Sequence, residues 1–146
     1  MNEKVYPTTM KLVLVYLLGF IVLSTGWWVG ILGPMFIASG WVGKLVFGLV
    51  GLHMGLAFYA VSRPGYFNPG LFKWLEHVSA SILMVGFLGK LYGISQTLNA
   101  VVATNAANGG VMISQGVAIA LYSTILGMAL SFWTNCANII ISNYNK

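Results

Sequence analysis

Acidic residues are almost missing from this chain. Of 146 residues, only Glu3 and Glu76 carry carboxylates. Neither falls inside an apolar run, so the chain lacks the intramembrane carboxylate that a self-contained proton or cation carrier needs. Charge of either sign is scarce at 6%, against 58% hydrophobic residues and a mean hydropathy of +0.85. A water-soluble domain of this length would have almost no charged surface, so that class is excluded. Cys136 is the single cysteine, which rules out a disulfide framework or a cysteine metal cluster within the chain. It reads as a small apolar residue near a helix end. No nucleotide loop, catalytic triad or metal-ligand cluster stands in the sequence. We expect neither an enzyme nor a bound cofactor or metal.

What is present is long apolar runs, with room for about four spans of 20 to 30 residues. The expected fold is all-α, a single four-helix transmembrane domain over 1–146, with spans at about 9–32, 44–61, 71–103 and 111–141. Lys4 and Lys11 precede the run LVLVYLLGFIVL, as in a signal peptide. No small-x-small cleavage site follows, and Trp27 and Trp28 suit a membrane interface, so a retained first span is expected. Gly33-Pro34 is read as the end of that helix. RPGYFNPG, with two prolines and two glycines, is the clearest break in the chain.

The basic residues are spread between the apolar runs, apart from Lys90, and do not form a phosphate-binding patch. Lys4, Lys11, Arg63, Lys73 and Lys146 fall on one side of a four-span protein, and Lys44 falls on the other. The positive-inside rule then places both termini in the cytoplasm.

Spans three and four form the informative stretch, a long hairpin. Gly86, Gly89 and Gly93 mark one helix; Gly116, Ala120, Ser123, Thr124 and Gly127 mark the other. Small residues at helical spacing let backbones approach closely in lipid. Lys90 and Thr124 lie at equal distances from the turn, which sets them at similar depth, near mid-membrane by the count. Lys90, aligned with Gly86, Gly93 and Thr97, is either a functional buried cation or a lysine snorkelling to an interface. Ser123 and Thr124 offer hydroxyls to an ion or water file, or bond to carbonyls one turn back. His53 is either a proton relay or a packed histidine with a backbone or hydroxyl partner. Glu76 and His77 read as a solvated helix start.

The segments GFLGKLYGI (Gly86 to Ile94) and GVAIALYSTILGMAL (Gly116 to Leu130) together resemble the MotA/TolQ/ExbB family of inner-membrane motor and channel subunits. Ala120-Leu121, Thr124 and Gly127 match that family's second-helix pattern. The resemblance covers about a third of the chain. It implies a bacterial inner-membrane homo-oligomer, a pentameric ring whose third and fourth helices line a proton or sodium pore. A single-span partner would supply an intramembrane Asp, the carboxylate this chain lacks. Lys90, Thr124, Ser123 and Thr97 would then line the pathway, with Gly86, Gly89, Gly93, Gly116, Ala120 and Gly127 at helix contacts. Two features depart from the family. Lys90 replaces the pore threonine, and RPGYFNPG replaces the large cytoplasmic domain of flagellar stators. The implied role is therefore in a secretion, uptake or envelope-spanning machine. A non-conducting assembly platform and a small four-helix transporter are the alternatives.

Overall fold

The computed structural model describes residues 5–62, 69–103 and 109–144. These form four α-helices: α1 (Val5–Trp28), α2 (Leu32–Ser62), α3 (Pro69–Ala103) and α4 (Gly109–Tyr144). All four contain stretches long and apolar enough to cross a membrane: Thr8–Trp28, Leu32–Ser62, Pro69–Asn99 and Ile113–Asn143. By length and composition they fit a multi-pass membrane protein. The RPGYFN segment, the centre of the hairpin turn at 104–108, and Glu3, Lys4 and Lys146 lie outside the described residues. So does Arg63, and with it much of the count on which the orientation rests.

The first boundary differs from the sequence expectation. α1 stops at Trp28 instead of Leu32, and most of the expected connection before residue 44 is helical. Gly30 is the cause, with a φ of 80°. The Ile31 amide donates to the Gly26 carbonyl at 3.0 Å and the Gly30 amide to the Trp27 carbonyl at 3.1 Å. This pair of bonds closes a Schellman cap, in which a left-handed glycine satisfies the last carbonyls of a helix. Pro34 then falls in the first turn of α2, where an N–H has no helical partner to lose. Proline here opens a helix and does not close one.

α2 is broken at Gly40, which has φ 56° and ψ −127°. Only glycine takes that conformation without strain. A Cβ at Gly40 would meet nothing within 4 Å, so the demand is on the backbone alone. Gly40→Ala is therefore expected to cost about 1–3 kcal/mol. The readout is the unfolding midpoint in detergent; an unchanged midpoint would mean the break relaxes into ordinary helix.

α3 and α4 pack antiparallel along most of their length. Thr97 meets Gly116, Gly86 meets Gly127, and Ser79 meets Thr134, so one register holds from end to end. α2 lies along one side of this hairpin, where Val42, Val46 and Val50 pack with Ile82 and Leu130. α1 sits further out against α2 and α4, with Leu12 and Tyr16 packed among Ala57, Ala60, Val61, Leu75, Ala137 and Ile141. The Trp133 indole N–H donates to the Val15 carbonyl at 2.9 Å, and its ring occupies the space a side chain at Gly19 would need. Three glycines of α2 behave differently. Gly48, Gly51 and Gly55 are exposed and face open space.

Candidate functional site

The hairpin seam is built from backbone in contact with backbone. A Cβ on Gly86 would come within 2.8 Å of the Gly127 Cα and 3.0 Å of the Ser123 carbonyl oxygen. Gly93 is held as tightly, since a Cβ there would come within 2.5 Å of both the Ala120 amide nitrogen and the Gly116 carbonyl oxygen. Gly89 turns toward Ser123 and toward Val42 of α2. Gly86, Gly89, Gly93, Gly116, Ala120 and Gly127 are all buried in these contacts.

Lys90 is one residue, or about 100°, further round α3 than Gly89, and it is exposed. That rotation carries it away from α2 and onto the flank of the seam that no helix covers. Thr124 lies on the same flank of α4 and is half-buried. The register sets Lys90 opposite Ser123, so Lys90 and Thr124 are level to within a residue. The hydroxyls of this region bond along their own helices. Thr124 donates to the Ala120 carbonyl at 2.7 Å, Ser123 to the Ile119 carbonyl at 2.6 Å, and Thr97 to the Gly93 carbonyl at 3.0 Å. Each oxygen keeps acceptor capacity after donating its proton. Thr97 lies against Gly116 in the seam, and Ser123 is buried there, so neither is on the uncovered flank as Lys90 and Thr124 are.

Contacts between helices set the level of Lys90 relative to α1 and α2. Gly89 meets Val42, and the rings of Trp41 and Tyr92 lie 5.8 Å apart, so the Gly40 break in α2 is level with the turn of α3 just beyond Lys90. Trp133 lies against Gly19, and in the hairpin register it is level with Ala80; nine residues on, α1 ends at Trp28. Lys90 therefore stands level with the end of α1 and the break in α2, the level of Trp27, Trp28 and Trp41, but on the opposite flank of the hairpin. Beyond it α3 runs on to Ala103, a projection of about 20 Å at 1.5 Å per residue. Equal distance from the turn fixes Lys90 relative to Thr124, but not relative to the shorter α1 and α2.

A second polar group, mostly missed by sequence reasoning, joins all four helices. The Tyr16 hydroxyl and His53 Nδ1 are 2.9 Å apart, as are His53 Nε2 and Asn138 Oδ1, and Asn138 Nδ2 donates to the Leu75 carbonyl at 3.5 Å. Only one direction satisfies the neutral chain. Asn138 must present its amide to the carbonyl, so Oδ1 accepts from Nε2–H, and Nδ1 accepts from the tyrosine hydroxyl. A relay through His53 would need a titratable next carrier, but here an amide and then a carbonyl follow. The arrangement braces the bundle. One turn away, Ser79 and Thr134 share a 2.6 Å hydrogen bond, and Ser131 donates to the Ser79 carbonyl at 3.0 Å. Among the described residues no buried side-chain nitrogen or oxygen lacks a partner.

The uncovered flank also holds a polar cleft of about 330 Å³ toward the ends of α3 and α4 that lie nearer the chain termini. Phe72, Glu76, Asn135, Asn138, Ile139, Ser142 and Asn143 line it. Glu76 is exposed there, and His77 is exposed beside it. In comparisons with protein-family models, curated proteins and solved structures, no match to this chain is found.

Proposed function

We propose that the chain is a ring-forming subunit of a bacterial inner-membrane complex, with cytoplasmic termini and the uncovered flank of the α3–α4 hairpin turned toward the ring centre. Its role is in an ion-driven motor or transport complex of the MotA/TolQ/ExbB type, energising a secretion, uptake or envelope machine together with a single-span partner that bears an intramembrane Asp. The observation that carries this reading is the one-sided architecture. α1 and α2 both lie on one side of a glycine-sealed hairpin, and the other side presents Lys90 and Thr124 at one level. Around them Phe87, Ile94, Val117 and Leu121 are exposed. Apolar surface of that extent needs lipid or another helix to cover it. A lysine level with Trp27, Trp28 and Trp41 fits the mouth of such a ring, at the level where interfacial tryptophans settle.

A non-conducting platform uses the same surface, and one observation favours it: the Thr124 and Thr97 hydroxyls already donate to their own helices. Lys90→Thr separates the two. It removes a ring of positive charge, which opposes cation entry. In a conducting ring the variant, reconstituted with its partner in liposomes, is expected to preserve or raise ion flux. In a platform, flux stays at background while partner retention during purification falls. Unchanged retention with no flux from either protein would sink both readings of Lys90.

A further inference from the structure

The polar cleft and Lys90 stand on the same stripe of α3. Glu76 and Lys90 are 14 residues apart, which places them within about 40° of each other around the helix and about 21 Å apart along it. Between them the flank is apolar, with Ala80, Leu83 and Phe87 on α3, and Met128 facing the same way on α4. The surface is thus an apolar strip with a negative group and amides at one end and a positive group at the other.

Resting on the ring reading above, we infer that the cleft of Glu76, Asn135, Asn138, Ser142 and Asn143 takes a basic side chain of the partner helix, about 14 residues from that helix's carboxylate, and so fixes its axial position. The lining offers one carboxylate, three amides and a hydroxyl, with no cation among them. That set of acceptors suits a lysine ammonium or an arginine guanidinium. Asn138 is buried and held in place by His53, so one wall of the cleft is fixed by the bundle core. A second copy of this chain is the wrong occupant. Copies sharing one membrane orientation put Glu76 level with Glu76 and Lys90 level with Lys90, with opposite charges about 21 Å out of register. A different helix, basic at the terminal side and acidic one apolar strip further on, meets both ends at once. Its basic residue also falls on the side where membrane proteins concentrate lysine and arginine.

The test uses synthetic Leu/Ala transmembrane peptides labelled with a fluorophore and co-reconstituted with the full chain in phosphatidylcholine vesicles. Four peptides carry Lys and Asp 14 positions apart, Lys alone, Asp alone, or neither. Binding to the parent chain, Glu76→Gln and Lys90→Leu is read by energy transfer. The lysine is expected to tighten binding about fivefold to tenfold on the parent, with or without the aspartate, and Glu76→Gln should abolish that gain. A gain that persists in Glu76→Gln, or no gain on the parent, overturns the cleft assignment. The aspartate gain and its loss in Lys90→Leu judge the ring reading separately. If adding phosphatidylethanolamine to the vesicles erases the lysine gain, the cleft is a lipid headgroup site and the partner assignment fails.

Discussion

Gly86→Leu is expected to abolish the folded hairpin. In most helical proteins a small-to-large change costs about 1–3 kcal/mol, because neighbouring side chains shift to make room. Here the neighbours are the Gly127 Cα and the Ser123 carbonyl, and backbone inside a helix has no rotamer to change. Relief requires the two helices to separate, which removes the contacts of Gly89 and Gly93 as well. Gly127→Leu should fail in the same way from the opposite side. Gly48→Leu is the control, since that glycine is exposed and meets nothing within 4 Å. Limited proteolysis and unfolding in detergent would measure the difference. If Gly86→Leu and Gly48→Leu unfold at the same midpoint, the hairpin is not sealed along these glycines.

His53→Leu is the second large effect. Its imidazole is buried and bonded on both sides, to Tyr16 and to Asn138. Truncation leaves the tyrosine hydroxyl without its acceptor and the Asn138 oxygen without its donor. Each orphaned buried group costs about 1–3 kcal/mol. In lipid the figure falls toward the low end, because the loosened helices find other partners. The informative measurement is the combination. Tyr16→Phe with His53→Leu and Asn138→Leu removes every partner at once, so it should recover part of the stability lost in His53→Leu alone. A triple variant as unstable as the sum of three separate losses would show that the groups act independently.

Much of the architecture was legible in the chain because lipid-compatible helices announce themselves by length and apolarity. The Gly86, Gly93, Gly116 and Gly127 spacing marked the close-packed seam, since close backbone approach tolerates only small residues, and the count from the turn set its register to within one residue. The end of α1 is four residues earlier than Gly33-Pro34 implies, because proline reads as a stop signal only when it falls inside a helix. Gly30 was the true terminator, and the proline falls where helices accept it. The level of Lys90 against α1 and α2 was not legible. Counting from a turn measures position along a hairpin, and only contacts such as Val42 with Gly89 tie that scale to α1 and α2. The polar brace was half legible. Ser131, Thr134 and Asn138 recur at spacings of three and four in an apolar helix, a stripe that could have been read. Tyr16 has no such signal, since its partner is 37 residues away.

The anchoring of α1 by Trp133 sets an order of events during synthesis. Val15 and Trp133 are separated by 118 residues, and Tyr16 is further still from Asn138. At about 5–20 residues per second, roughly 6 to 24 s pass between the making of Val15 and that of the tryptophan that holds it. Tyr16 can meet His53 once α2 has emerged, but the brace stays incomplete until α4 arrives. Of the four helices, the one made earliest is thus the last to be locked. Until then its leucine-rich surface is open to lipid, to insertion factors, or to another nascent copy of the same chain.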